Sequence, residues 1–167
     1  HGFAAEIGHF QIDPDGPMCA CGERGHWEAF ASGSALGRIG RERAAAGGIP
    51  AVVELAGGDP DAVTGVHVGD AAQAGDAEAL AVLAEYAELV AIGLAGLTNI
   101  LDPDRIVVSG GLVELRETLF APLRLAFARR IEGSEYRPRV DIVAAELGDR
   151  AGVIGAAALA RDLVTTE

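Results

Sequence analysis

The ten residues CACGERGHWE, from Cys19 to Glu28, constrain the fold of this chain more than any other stretch. They hold both cysteines and the only tryptophan of the 167 residues. Two cysteines two positions apart are poorly placed to bond each other, because a disulfide needs opposed Cβ atoms at a set separation. Zinc instead binds thiolate and imidazole groups tetrahedrally. We therefore predict that Cys19, Cys21 and His26 bind one zinc ion. His9 is the candidate for the fourth ligand, since it lies at the mouth of the same loop.

A zinc site of this kind would be structural, because four protein ligands leave no open position for a water molecule. The alternative is that the cysteines are free and that His26 lies on the surface. Two carboxylates flank the loop, Glu6 before it and Glu28 after it. Carboxylates accept hydrogen bonds strongly, so the pair suits a ligand with several hydroxyl groups. Two other interpretations stay open: Glu28 as a first-turn residue favoured by the helix dipole, and a glycosidase pair of carboxylates.

The alternation of strand and helix patterns predicts an α/β fold with at least part of the sheet parallel. The longest helix should begin after the N-cap Asp76 and end at Leu101, because Pro103 disfavours a helical residue before it. Its apolar residues recur every three or four positions, which predicts one buried stripe. Strands are predicted at 3–12, 105–109 and 140–144, and further helices at 27–43 with a break at Ser32–Gly33, and at 50–56, 70–74, 114–131 and 151–164. These strands are too few for a complete doubly wound sheet, which suggests part of a larger protein.

The composition argues against several classes of function. The formal net charge is −12, which disfavours nucleic acids and anionic membranes as partners. The chain has no lysine, so a P-loop, whose lysine binds the phosphates, is excluded. The most apolar stretch, 79–101, contains Glu85 and Glu88 and is predicted to be a buried helix rather than a membrane span. No signal peptide is visible, and we expect a cytoplasmic protein.

Gly110 and Gly111 directly follow the predicted strand at 105–109, which we expect to be buried. Glycines in this position let a flat ligand or another backbone approach closely. Ligands of α/β proteins bind at the carboxyl ends of the strands, so the pair is a candidate nucleotide contact. A tight strand-to-helix turn is the alternative interpretation.

Taken together, the stretches EIGHF, CACGERGHWE and SGSAL resemble the signature of the ROK family (repressors, open reading frames, kinases). NILDPDRIVVSGGL is similar to the adenosine-side segment of that family, and LGDRAGVIGAAALA to its C-terminal helix. The resemblance implies an actin-like, hexokinase-type ATPase fold, with two α/β lobes and with sugar and ATP in the cleft between them. It also implies roles for single residues: zinc binding by His9, Cys19, Cys21 and His26, contacts to sugar hydroxyls by Glu6, His9 and Glu28, and contacts to adenosine by Gly110 and Gly111.

The resemblance further implies a kinase that transfers the γ-phosphoryl group of Mg-ATP to the 6-hydroxyl of glucose or a related hexose, in a homo-oligomer. A sugar-sensing transcriptional repressor of the same family is the alternative. Residues 1–150 would form the large C-terminal lobe, and the terminal helix in 151–167 would pack on an N-terminal lobe and otherwise expose an apolar face. The catalytic aspartate of the family is expected upstream of this chain, so the segment alone should be inactive.

Two positions depart from the family pattern. His26 stands where the family usually has a third cysteine, and Ala5 stands where it frequently has a glycine. Imidazole is a competent zinc ligand, so a Cys₂His₂ set should still close the site.

Overall fold

The computed structural model describes His1 and residues 3–165, and it arranges them around one long helix. The elements in chain order are α1 (Glu28–Ala31), α2 (Gly33–Ala45), α3 (Pro50–Leu55), α4 (Gly65–Gln73), α5 (Ala77–Leu101), β1 (Arg105–Val108), α6 (Glu117–Arg130), β2 (Asp141–Ala144) and α7 (Ala151–Thr165). Short 3-10 turns lie at Ile7–His9, Pro60–Ala62, Gly111–Leu115 and Gly148–Arg150. The last two residues of the predicted terminal segment 151–167 lie outside the described residues.

The predicted limits of the long helix, α5, are confirmed at both ends. Asp76 caps its start, because the Asp76 carboxylate accepts a hydrogen bond from the Ala79 amide at 2.8 Å. The helix ends at Leu101, where Asp102 adopts a left-handed conformation immediately before Pro103.

One face of α5 lies in the core of the fold. Leu83 and Ala87 are fully buried there, and α6 and α4 make the most extensive contacts with the helix. By length and composition α5 could cross a membrane, but it packs here as a core helix. Two of its three glutamates form ion pairs at the surface, Glu85 with Arg43 at 2.5 Å and Glu88 with Arg130 at 2.8 Å. The prediction of a buried rather than a membrane-spanning helix agrees with this packing.

β1 and β2 form a parallel pair in which Arg105 lies opposite Asp141 and Val108 lies opposite Ala144. α6 connects the two strands, so the three elements make a β-α-β unit. This confirms the α/β class with a parallel sheet, and the sheet has two strands within the part of the chain that the structure describes. The prediction that β1 is buried is wrong. Val107 is 60% exposed, because the core packs against only one face of the strand.

The predicted strand at 3–12 is also wrong. The chain there forms the 3-10 turn at Ile7–His9 and one isolated bridge between Gln11 and His26. Ala5 has a φ of 69°, a left-handed conformation that interrupts an extended strand. The apolar residues of this stretch therefore do not pair as a sheet strand among the described residues.

The other helix predictions differ from the structure mainly at helix ends. The break at Ser32–Gly33 separates α1 from α2 as predicted. The helix predicted at 114–131 begins at Glu117, because Arg116 has a φ of 47° and interrupts the helix after the preceding 3-10 turn. The short helix predicted at 70–74 is the second half of α4.

Loss of the cap at Asp76 should destabilise the whole fold, because α5 is its central helix. We expect Asp76→Ala to lower the free energy of unfolding by about 1 kcal/mol. Asp76→Asn is the matched control and should retain nearly all of the stability, since asparagine caps helices as well as aspartate does. Urea unfolding of the three proteins measures this. Equal losses in both variants would show that the charge, and not the cap, stabilises the helix.

Candidate functional site

Backbone hydrogen bonds fold residues 9–28 into one compact loop. At its base, the Trp27 amide donates to the Phe10 carbonyl at 2.9 Å. At its tip, the Gly22 amide donates to the Cys19 carbonyl at 3.0 Å, which closes a tight turn. The loop therefore folds back on itself, and the cysteines of the tip meet the histidines of the base.

The structure brings the four predicted zinc ligands together. Their donor atoms all lie within 4.8 Å of one another. The sulfur of Cys21 is 3.2 Å from Nδ1 of His26, and the sulfur of Cys19 is 3.7 Å from Nδ1 of His9. A tetrahedral zinc ion with ordinary bond lengths separates its ligand atoms by about 3.3 to 3.8 Å. The donor set and its spacing therefore fit an ion of this kind.

The electrostatic surroundings of the cluster are negative. Cys19 is buried, whereas Cys21 is exposed. A hydrogen bond from the Cys21 backbone lowers the pKa of the Cys19 thiol, but burial, the Cys21 thiol and the charge of Glu28 together raise that pKa above its ordinary value. A cation between the two sulfurs would oppose this repulsion and stabilise the thiolates.

Glu6, His9 and Glu28 lie together beside the cluster. Nε2 of His9, the ring nitrogen that is not directed at Cys19, is 3.9 Å from a carboxylate oxygen of Glu6. Glu28 reaches the same place because Gly8 has no side chain: a Cβ at Gly8 would lie 3.0 Å from Oε2 of Glu28. The side chains of Glu6 and His9 are 62% and 36% exposed, so solvent and ligands can reach them. The arrangement offers two carboxylates and one imidazole nitrogen to a ligand that carries hydroxyl groups.

A cavity of about 580 Å³ at the carboxyl end of β1 is the second candidate site. It is lined by Gly110 and Gly111, the two glycines predicted to contact a nucleotide. Gly110 has a φ of 109°, which disfavours any residue with a side chain. A Cβ at Gly111 would meet no atom within 4 Å, so the backbone there is open to a ligand. The structure thus places both glycines where a flat molecule can approach them.

Two helix starts that were not predicted to belong to this site also line the cavity. Ser32 caps α2, where its hydroxyl accepts a hydrogen bond from the Ala35 amide, and Thr64 caps α4 in the same way through the His67 amide. Each cap residue is followed by a glycine, and this is the local feature of the sequence that could have indicated a backbone open to a ligand. The sequence could not indicate that the two helices begin at one cavity, because that depends on the packing of α2 against α4.

Comparison with known proteins identifies the family. Residues 1–163 match the ROK family. The chain belongs to the ROK family. A glucokinase of Streptomyces coelicolor is 42% identical over 163 residues, which are 96% of this chain and 51% of that protein. The xylose repressor of Bacillus subtilis is 25% identical over 161 residues, which are 96% of this chain and 38% of that protein.

The fold agrees with that of a solved ROK family protein. The crystal structure of a ROK family glucokinase from Streptomyces griseus, in complex with glucose and AMPPNP, matches this chain with a TM-score of 0.86 at 40% sequence identity. The match covers 95% of this chain and 52% of that one. The resemblance predicted from the sequence motifs is therefore confirmed at the level of the family. The chain spans about half the length of the curated relatives it matches.

Gly25 should tolerate substitution less well than Gly22, although both have positive φ values, 71° and 97°. A Cβ at Gly25 would overlap the carbonyl oxygen of Asp13, whereas a Cβ at Gly22 would meet no atom within 4 Å. We expect Gly22→Ala to cost about 1 to 2 kcal/mol of backbone strain, and Gly25→Ala to cost clearly more. Thermal unfolding of the two variants side by side measures the difference. Equal losses would contradict the observed packing of the loop.

Proposed function

We propose that this chain is the sugar-binding and zinc-binding half of an ATP-dependent hexose kinase of the glucokinase type. The observation that carries the proposal is the convergence of Glu6, His9 and Glu28 beside a thiol–imidazole cluster, in a chain 42% identical to a glucokinase. The Streptomyces griseus relative was crystallised with glucose and AMPPNP, which supports a hexose and Mg-ATP as the two substrates.

In this proposal the sugar is held by groups that do no proton chemistry. Glu6 and Glu28 accept hydrogen bonds from sugar hydroxyls, and Nε2 of His9 contacts a further hydroxyl while Nδ1 belongs to the metal cluster. The base that deprotonates the 6-hydroxyl would come from a part of the intact protein outside this chain. The chain alone would therefore bind the sugar without phosphorylating it.

The cavity at the end of β1 is the proposed nucleotide site, with adenosine against the open backbone of Gly110 and Gly111. α1 lies between the two sites. Glu28, at its start, belongs to the sugar site, and Ala31, at its end, lines the cavity. One helical turn thus separates the proposed sugar and nucleotide sites, which suits a reaction that depends on holding its two substrates in contact.

We also assign a structural zinc ion to His9, Cys19, Cys21 and His26. Two thiolates and two neutral imidazoles balance the charge of the ion, and they complete a tetrahedral set without a water molecule. The ion would join the base of the loop to its tip. Its contribution would be to fix the positions of the neighbouring carboxylates, because a closed site cannot activate water.

Exposed apolar side chains at one end of the chain would pack on an N-terminal lobe in the intact protein. Val153 and Leu159 of α7 are 76% and 69% exposed. The contacts of α7 are chiefly with the 3-10 turn that precedes it. Apolar surface of this kind is typical of a face that another part of a protein covers.

A sugar-sensing repressor is the second candidate, because the xylose repressor of Bacillus subtilis is similar over 96% of this chain. The identity to that repressor is 25%, against 42% to the glucokinase of Streptomyces coelicolor, which favours the kinase. Phosphoryl transfer by the intact protein separates the two candidates.

Removal of the metal should loosen the loop and lower the melting temperature of the chain. We expect metal analysis to find about one zinc ion per chain, as a single closed site requires. His26→Ala should lose the ion, whereas the matched variant His26→Cys should keep it, because either cysteine or histidine can complete the set. A metal-free protein whose melting temperature does not respond to a chelator would rule out the zinc site.

Glucose-dependent release of ADP from ATP tests the kinase function in the intact protein and in this chain alone, and we expect activity only in the intact protein.

In the intact protein, Glu28→Gln should raise the KM for glucose about tenfold or more, because it removes a charged hydrogen-bond acceptor, and should leave the KM for ATP unchanged. Glu23→Gln, an exposed position on the same loop, is the control and should change neither value. Equal changes in both KM values for Glu28→Gln would exclude a direct role in sugar binding.

A further inference from the structure

α1 is four residues long, and it joins the two proposed sites. A single turn of helix has almost no stability of its own in water, because helix nucleation is unfavourable. Contacts with other elements must therefore hold both ends of α1 in place: Glu28 at its start and Ala31, in the cavity wall, at its end. Two side-chain contacts with α5, one at each end of α1, provide this.

Trp27 attaches the sugar side of α1 to α5. Its indole Nε1 donates a hydrogen bond to the Leu89 carbonyl at 3.0 Å, and its ring stacks on Phe10 with the centroids 5.5 Å apart. The indole lies directly on the backbone of α5 at Gly93, where a Cβ would overlap its six-membered ring. Because Trp27 immediately precedes Glu28, the docking of this ring fixes the position of the Glu28 backbone, from which the carboxylate extends.

Tyr86 attaches the nucleotide side of α1 to the same helix. Its hydroxyl donates a hydrogen bond to the Ala31 carbonyl at 2.6 Å. The chain leaves the helical conformation at Ser32, so this carbonyl is one of the helix-end groups that need a donor from elsewhere. Burial raises the pKa of the Tyr86 phenol, which keeps the hydroxyl protonated and able to donate.

We propose that Trp27 and Tyr86 are positioning residues that hold α1 between the sugar site and the nucleotide cavity, Trp27 acting through Glu28 and Tyr86 acting through the Ala31 carbonyl. This inference rests on the proposed kinase function. Since each side chain holds a different end of α1, the loss of one contact should displace one site and spare the other. If the two residues had a purely structural role, their loss would lower the stability of the protein without changing the KM for one substrate more than the KM for the other.

Tyr86 also lines the nucleotide cavity, and Tyr86→Phe tests the nucleotide end in the intact protein because it removes only the hydroxyl that holds the Ala31 carbonyl and keeps the ring in the cavity wall. We expect the KM for ATP to rise about fivefold, the effect of one lost hydrogen bond, while the KM for glucose changes less than about twofold. Tyr136→Phe is the matched control, since Tyr136 is 83% exposed, and it should leave both values unchanged.

Trp27→Phe and Gly93→Ala test the sugar end. Trp27→Phe removes the indole N–H, and Gly93→Ala displaces the ring, so each should raise the KM for glucose about fivefold and leave the KM for ATP unchanged. Trp27 is the only tryptophan, so its fluorescence reports the displacement in this chain directly. Gly93→Ala should shift the emission to longer wavelength. The matched variant Gly96→Ala should not, because a Cβ there would meet no atom within 4 Å.

Three results would overturn the inference. The first is an equal rise of both KM values in any of the three variants Tyr86→Phe, Trp27→Phe and Gly93→Ala, and the second is unchanged KM values with a lowered melting temperature. The third is a wild-type protein without phosphoryl transfer, which would refute the kinase function and this inference with it. An active wild-type protein whose variants keep both KM values would refute only the inference.

Discussion

The packing of α5 against its neighbours is the interaction on which the rest of the structure depends. Burial of one large aliphatic side chain such as Leu83 contributes about 1.5 to 3 kcal/mol, and α5 presents an extended stripe of such positions. α6 packs on this helix, and the parallel strands β1 and β2 lie directly before and after α6 in the β-α-β unit. α1 and the loop before it attach to another part of the same helix. Both candidate sites are therefore positioned relative to α5, although they lie on separate segments of the chain.

The loop at 9–28 has a different physical basis from the core. Its tip is rich in glycine and polar residues, and Cys19, although buried there, does not belong to the main hydrophobic cluster. Such a segment gains little from the hydrophobic effect, so backbone hydrogen bonds and a metal ion are the interactions available to fix it. The four candidate ligands come from both the base and the tip of the loop, so one ion would cross-link it in two places. Such a cross-link would hold the proposed sugar-binding groups in place on a segment with a small core.

Much of the fold could be predicted from the sequence, because local signals set it. Asp76 and Pro103 determine the limits of α5 through capping and through the steric effect of proline. The cysteine and histidine spacing indicated which four side chains meet, because one short loop carries them all. The glycines at 110 and 111 indicated a cavity at the end of β1, since the position after a strand is defined by the chain itself.

The parts that could not be predicted depend on contacts between distant segments. Exposure of Val107 depends on which face of β1 the core covers, and the β-branched sequence of the strand is the same in either case. Residues 3–12 are apolar enough for a strand, but their pairing within the described residues is limited to the single bridge between Gln11 and His26. Trp27 contacts Gly93 and Tyr86 contacts Ala31, which are residues 66 and 55 positions apart in the chain. No local sequence pattern can predict contacts over such distances.

One metal ion is proposed to organise the loop at 9–28 and so to fix the positions of Glu6 and Glu28, the proposed sugar-binding carboxylates. Zinc-edge X-ray absorption on the chain, purified without chelators, tests it most directly, because the method reports the identity and distance of the ligands. We expect two sulfur ligands at about 2.3 Å and two nitrogen ligands at about 2.0 to 2.1 Å. A spectrum with only oxygen and nitrogen ligands, or the absence of bound zinc, would contradict it.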